Sequence, residues 1–387
     1  MTSRFDRAFR SFAVWILSLI ARLKFRVSRN VIDEPTKGSL ILCNHTSVWD
    51  FAYLLFALRP RNDMRFVATA VQYDKSRFTR WLFTHLGLIR KNQGVNDTQC
   101  VRNMLKASRK GDTIVIYPAG MTSVDGRPAW KPIAGTGALA KLLNCDVYTA
   151  IIHGGYLSHP RFSTKSARGR VEIEIRRLYT AEQVKKLSPD EIQTGMDEAL
   201  FFNEWDWQEQ KQIPFRRFAR LRNLRYVLYR CPACGREGTM EEKGKTLFCT
   251  ACGFSARRDE FGFLRSDSPA CPGRIDRWAD LEIAAVNGEL QSDAFALRTP
   301  VTLLKREDGS GKGFEKAGEG ELIMTKDELC FEGNETIRVE IGDIQFLIVS
   351  DVEAVIVNAG NMNYRFEFKD SRLLFKWFFA NRRLKET

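Results

Sequence analysis

Residues 39–55 read Ser-Leu-Ile-Leu-Cys-Asn-His-Thr-Ser-Val-Trp-Asp-Phe-Ala-Tyr-Leu-Leu. The first five are an apolar run with the branched residues of a buried strand, and the run stops at Asn44-His45. Thr46 to Leu55 reads as a helix with a hydroxyl cap, which puts His45 on a strand-to-helix turn. Two residues five apart within one ideal helix point about 140° away from each other and cannot touch. With His45 before the helix and Asp50 in its first turn, the carboxylate can instead fold back onto the imidazole. Asp50 then fixes one tautomer and supports the protonated ring, leaving the second nitrogen as a general base. A plainer reading also stands: Ser47 and Asp50 form a capping box and His45 is a turn residue.

Working outward, Thr113 to Ile116 is a second strand that runs into the Pro/Gly turn Tyr117-Pro-Ala-Gly-Met-Thr-Ser123. Trp130 to Ala140 follows, then another strand near Val147 to Ile152. Strands alternating with helices across residues 35–180 predict an α/β domain, a largely parallel or mixed sheet flanked by helices.

These blocks resemble the glycerolipid acyltransferases typified by bacterial 1-acylglycerol-3-phosphate acyltransferase. The resemblance rests on Asn44-His-Thr-Ser-Val-Trp-Asp50 (a His-x4-Asp signature), Leu86 to Arg90, Tyr117 to Ser123 and Lys131 to Ala140, and covers about the first 205 residues. Gly154 to Phe162 and a later cysteine module match the bacterial subgroup. The resemblance implies that His45 deprotonates an acceptor hydroxyl, that Asp50 orients it, and that the hydroxyl attacks an acyl thioester on acyl carrier protein or coenzyme A. It also implies a lysolipid acceptor, with Arg90, Lys91, Gly120, Ser123 and Lys131 as substrate-binding positions. The chain departs from the family where Ala119, Met121 and Thr122 replace the usual glutamate, threonine and arginine, and where Gln93 falls near the second block's later arginine. The missing arginine is the one suited to grip a phosphate bidentately. Three readings follow: Arg90, Lys91 or Lys131 takes over the phosphate, the acceptor is not a simple lysophosphatidate, or activity is lost.

Cys231-Pro-Ala-Cys234-Gly and Cys249-Thr-Ala-Cys252-Gly are two Cys-x-x-Cys turns separated by residues 235–248. Four thiolates at this spacing predict a zinc ribbon with a structural Zn2+ and no open coordination position; iron or redox use of one pair are the alternatives. The segment before it holds Lys211, Arg216, Arg217, Arg220, Arg222, Arg225 and Arg230, with Phe218, Leu221, Leu224 and Leu228 at helical spacing. That pattern predicts a basic amphipathic helix that presses on a bilayer, binds nucleic acid or docks on the catalytic domain. From about Pro272 short strands separated by Gly and Asp turns, with a mobile hairpin loop at 307–313 and a final helix over Ser371 to Lys385, resemble a pleckstrin-homology or GRAM-like module. Lipid-surface binding and scaffolding are both open for it.

The expected organisation is a basic membrane-interface helix over 1–30, the acyltransferase domain over 31–205, the basic helix or linker over 206–229, the zinc ribbon over 230–265 and a β-rich domain with a terminal helix over 272–387. Composition agrees with a globular chain: 44% hydrophobic and 28% charged residues exclude a disordered or collagenous protein. The net charge of +13 points to anionic partners, and nine cysteines are too few for a disulfide scaffold. Residues 12–21 are apolar and bracketed by arginines and Lys24, too short to span a bilayer. They predict an interfacial helix with Trp15 at headgroup level, or a helix packed on its own domain. The sequence therefore predicts a peripheral acyltransferase on the cytoplasmic face of an anionic membrane. Its rival is a basic zinc-ribbon protein that binds nucleic acid through residues 211–258 with an inactive α/β domain; the ribbon's own residues are not especially basic, which weighs against nucleic acid.

Overall fold

The computed structural model describes residues 4–58, 63–92, 97–307, 313–344, 348–350, 352–360 and 362–386. Gln93 and residues 308–312 of the expected mobile hairpin loop lie outside the described residues. The N-terminal half is built on seven strands, β1 (Ser28–Val31), β2 (Leu40–Cys43), β3 (Met64–Thr69), β4 (Ile89–Lys91), β5 (Thr113–Ile116), β6 (Val147–His153) and β7 (Glu172–Tyr179). They lie in the order β1-β7-β6-β2-β5-β3-β4, and only the β6–β7 junction is antiparallel. This is the mixed sheet flanked by helices that the alternation of strands and helices predicts. Strands β2 and β5 are buried along their whole length, which is why they are unbroken apolar runs. Ile41 and Cys43 face one layer, with Phe25, Tyr53 and Leu54 of α1 (Arg4–Phe25) and α2 (Asp50–Ala57). Leu40 and Leu42 face the other, with Cys100, Met104, Ala140 and Leu143.

Helix α1 does two things at once. Val14, Ala21 and Phe25 are buried in the domain, so the helix is docked. Phe12 (59% exposed), Trp15 (58%), Leu19 and Leu23 form a second apolar stripe that faces outward. Phe78 and Trp81 on the neighbouring helix Arg77–Leu86 continue it, and the Phe9 and Trp81 rings meet edge to face at 5.6 Å. A bare apolar surface of this extent, on a chain of high charge, marks an interaction face. No helix among the described residues is long and apolar enough to cross a membrane.

The basic segment before the cysteines is not one amphipathic helix. Beyond the helix Glu204–Lys211 it contains only the 3-10 turn Phe218–Arg220 and the four-residue helix Leu224–Val227. Pro214 removes a helical donor, and Arg217 (φ 73°) and Asn223 (φ 78°) take left-handed conformations immediately before each turn, so no helix runs through them. Its apolar residues, Phe215, Phe218, Leu221, Leu224 and Leu228, are all buried within the protein. Of the three roles open to it, docking is the one this packing represents.

Strands β8 (Met240–Lys243), β9 (Thr246–Cys249), β10 (Ser255–Arg258) and β11 (Leu264–Arg265) make a small antiparallel sheet around the cysteines. The C-terminal part opens with the helix Ile275–Leu290, absent from the sequence expectation, which gave this region as β-rich from Pro272. Seven antiparallel strands follow, β12 (Leu297–Glu307), β13 (Glu315–Met324), β14 (Glu328–Gly333), β15 (Thr336–Glu340), β16 (Ile348–Ser350), β17 (Ala354–Ala359) and β18 (Met362–Phe368), in the order β15-β14-β13-β12-β18-β17-β16. The terminal helix Leu374–Glu386 is buried on more than one side, at Leu374, Phe375, Trp377, Phe378 and Phe379. It packs on the helix Ile275–Leu290 and reaches the α/β domain, where the Trp130 ring meets Phe378 edge to face at 5.7 Å. One hydrophobic core runs unbroken from Met121 and Trp130 through Trp205, Leu247 and Trp278 to Phe379. The separate modules of the sequence reading thus share a core.

Candidate active site

Strand β2 is followed by Asn44, whose side-chain amide is clamped to β6: Nδ2 donates to the Ile152 carbonyl (3.0 Å) and Oδ1 accepts from the Ile152 N–H (2.8 Å). The chain then turns through His45 and Thr46 before α2 starts at Asp50. The Asp50 carboxylate is buried and accepts from the Thr46 N–H (2.7 Å), the Thr46 hydroxyl (2.8 Å), the Ser47 N–H (3.0 Å) and His45 Nδ1 (2.8 Å). The carboxylate thus holds the turn and the imidazole together, but no capping box closes: Trp49 is the N-cap of α2 without a side-chain bond, and the Ser47 hydroxyl accepts from the Trp49 N–H. Two carboxylate oxygens have enough lone-pair capacity for turn and imidazole alike.

With Nδ1 held by Asp50, Nε2 is the ring nitrogen left for chemistry, on a side chain 23% exposed that lines a cleft of about 1470 Å³. The Tyr117 ring stacks on the imidazole with centroids 4.6 Å apart, and burial keeps the Tyr117 hydroxyl well above its usual pKa. The turn is supported from behind by Gly155, where an added Cβ would stand 2.1 Å from the Thr46 hydroxyl oxygen. Beneath the same region lies Glu204, fully buried, whose carboxyl burial pushes up to about 8, so it is neutral at pH 7. No short motif surrounds Glu204, and nothing in the sequence marks it.

The cleft is apolar along Leu17, Phe51, Leu55, Phe66, Phe83 and Met104, a lining suited to an alkyl chain. Lys91 and Gly120 line it too. Arg90 is instead held by the buried Asp74, with Nε and Nη2 each 2.7 Å from Oδ2, in a cluster that includes Arg80. Ser123 sits behind the site, its N–H donating to the His45 carbonyl (2.9 Å) and its hydroxyl accepting from the Gly126 N–H (2.8 Å). Lys131 lines a second, smaller cavity of about 440 Å³ that also touches His45. Sequence reasoning passed over Arg161, which lines the main cleft and donates from Nη1 to the Thr122 hydroxyl at 2.7 Å. Thr122 is the position where the resembled family has its arginine, so a guanidinium from elsewhere in the chain reaches that turn. The block Gly154 to Phe162 was in view, but its contact with Thr122 is not legible from spacing.

Comparison with known proteins sets this geometry in context. Residues 22–153 match the Acyltransferase family model. The match takes in β1 to β6 of the α/β domain, with His45 and Asp50, and stops before β7. Among solved structures, the chain is similar to the 1-acyl-sn-glycerophosphate (LPA) acyltransferase PlsC of Thermotoga maritima, at 18% identity over 55% of this chain and 84% of that one, with a TM-score of 0.44. No curated protein matches.

Outside the α/β domain, the Sγ atoms of Cys231, Cys234, Cys249 and Cys252 all lie within 4.8 Å of one another. The pairs Cys231–Cys252 and Cys234–Cys249 are 3.7 and 3.8 Å apart. A tetrahedral ion with metal–sulfur bonds of about 2.3 Å sets its ligands about 3.8 Å apart, so the cluster fits one metal ion. Each pair is wound by a glycine in left-handed conformation: the Gly235 N–H donates to the Cys231 carbonyl, and the Gly253 N–H to the Cys249 carbonyl.

Proposed function

We propose that the protein is a peripheral membrane acyltransferase that moves a fatty acyl group from a thioester, on acyl carrier protein or coenzyme A, to a hydroxyl of a lysophospholipid such as 1-acylglycerol-3-phosphate. The observation that carries this reading is the His45–Asp50 contact at the wall of an apolar cleft, inside the segment that matches the Acyltransferase family. His45 Nε2 takes the hydroxyl proton as the oxygen attacks the thioester carbonyl. The tetrahedral intermediate expels the thiolate, and the imidazolium returns the proton to that sulfur. Asp50 steadies the imidazolium and enters no bond with substrate. Zinc held by Cys231, Cys234, Cys249 and Cys252 serves folding alone, since all four positions are thiolate. The strand order and closing helix of the C-terminal part support its likeness to a pleckstrin-homology or GRAM-like module.

The acceptor screen that tests this uses the full chain with acyl-carrier-protein and coenzyme A donors and a panel of lysolipids, read by mass spectrometry. A diacyl product whose formation needs a thioester donor is expected. Failure of every lysolipid with both donors would count against the reading. Arg161 beside Thr122 favours acceptors that bear phosphate.

Membrane attachment on the cytoplasmic face rests on the outward stripe of Phe12, Trp15, Leu19 and Leu23 flanked by Arg22, Lys24 and Arg26. Co-sedimentation with phosphatidylglycerol-containing vesicles is expected to fall as salt rises and to drop at least about tenfold in Trp15→Glu/Leu19→Glu, given the cost of placing charge in an apolar interface. Equal sedimentation of that variant would rule out α1 as the anchor.

A further inference from the structure

The C-terminal sheet walls the same cleft as His45. Arg306, Phe314, Val352, Ile356 and Arg365 all line it, although they lie more than 250 positions from the imidazole. Strand register explains how. Leu304 on β12 faces Arg365 on β18, and Arg365 faces Ile356 on β17. Arg306 is two residues beyond Leu304, so Arg306, Arg365 and Ile356 project from one face of the sheet, the two arginines as diagonal neighbours. That face is fixed to the acyltransferase domain, because Arg306 Nη1 donates to the Val71 carbonyl at 3.2 Å. Arg306 is only 4% exposed, and its guanidinium lies over the Phe314 ring at 4.8 Å. Arg365 is oriented by Glu367 through a 2.9 Å bond from Nε.

The charge of the cleft says what such a wall would hold. Among the described residues seven lysines and arginines line it, including Lys75, Lys91, Arg161, Arg306 and Arg365, against a single carboxylate, Asp97. Asp97 is itself occupied as a helix cap, accepting from the Cys100 and Asn92 N–H groups. A basic, partly desolvated cleft of this kind concentrates anions, and paired guanidiniums match phosphate geometry. The smaller cavity by His45 does not share this imbalance, since Asp197, Asp280 and Glu386 line it beside Arg127, Lys131, Arg382 and Arg383.

We propose that Arg306 and Arg365 of the C-terminal sheet bind a phosphate group of a substrate in the cleft, so that the C-terminal domain completes the substrate site. The proposal rests on the acyltransferase reading only for what that phosphate belongs to: the acceptor's headgroup or the nucleotide end of a coenzyme A donor. It gives a second source for the cation that Thr122 replaces, and a role for the domain beyond scaffolding.

The test measures equilibrium binding to the full chain by intrinsic fluorescence, with lysophosphatidate, monoacylglycerol and free coenzyme A as probes, so that no turnover is required. His45→Ala carries the same measurement, which keeps it readable if acyl transfer is never found. Arg365→Gln and Arg306→Gln are each expected to weaken one phosphate-bearing probe by roughly 10-fold or more, the usual worth of a hydrogen bond to a charged group. Monoacylglycerol binding is expected to stay within about twofold, and Arg365→Lys to recover part of the loss. Loss confined to lysophosphatidate assigns the headgroup, and loss confined to coenzyme A assigns the donor. Arg306→Gln also removes the bond to Val71, so thermal melting is followed in parallel. Unchanged affinity for both phosphate probes in Arg365→Gln, or equal loss for monoacylglycerol, overturns the proposal; a lowered melting temperature with unchanged affinity reduces Arg306 to a strut between domains.

Discussion

His45→Ala is expected to lower kcat for acyl transfer by about 10²–10⁴-fold, the range over which a positioned general base acts. The reason is local. Asp50 is buried among four donors, three of them on Thr46 and Ser47, so the carboxylate stays bound to the turn when the imidazole is removed. The side chain lost is partly exposed at the cleft wall, so little core packing goes with it. Folding is therefore expected to survive, with the melting temperature within a few degrees of the parent and lysolipid binding retained. Asp50→Ala is the contrasting case. It strips the turn of its acceptor and orphans buried N–H groups at about 1–3 kcal/mol each, so loss of activity comes together with loss of stability. An unimpaired His45→Ala enzyme would end the general-base mechanism and leave the cleft as a binding site.

The largest effect on stability is expected from the four cysteines. One tightly held zinc per chain should be found by metal analysis, and Cys249→Ala or chelation should unfold the C-terminal half. A structural zinc contributes about 10 kcal/mol or more to the fold that forms around it, comparable to the whole stability of a typical domain. The small sheet around the cysteines does not hang free. Arg258 on β10 is fully buried and donates to the Leu221 carbonyl at 2.6 Å, and Phe254 packs edge to face on Trp278. Lys376 of the terminal helix bonds Glu237 and Glu289, tying that helix to the segment between the cysteine pairs. Unfolding of that small sheet should therefore spread through the common core and release the sheet that carries Arg306 and Arg365. The measurement is thermal unfolding with and without a chelator, alongside metal content. A chain purified without chelator that holds no metal and melts unchanged would contradict it.

The features read correctly from residues alone share a short range. His45 and Asp50 are five positions apart, and the cysteines of each Cys-x-x-Cys turn are three apart, so backbone geometry alone brings those side chains near one another. The apolar runs of β2 and β5 announced buried parallel strands for the same reason. The helix Ile275–Leu290 was within reach: Ile275, Trp278, Ala279, Glu282 and Val286 fall at helical spacing and are buried, but a glutamate within that face breaks the apolar pattern. The segment 211–230 misled in the opposite direction. Its leucines have helical spacing, yet Pro214 and the left-handed Arg217 and Asn223 divide it, and burial in the common core satisfies its apolar groups without a helix.

Sequence by itself determined the α/β class, the contact between His45 and Asp50, and the four-sulfur cluster, because each is written in contacts between near neighbours along the chain. Tertiary structure alone decided that Arg161 meets Thr122, that Arg90 is absorbed by Asp74, that α1 turns an apolar stripe outward, and that β12 and β18 stand over the cleft. Those outcomes depend on which distant surfaces bury each other, and burial free energy follows area without direction, so no spacing within a segment records it.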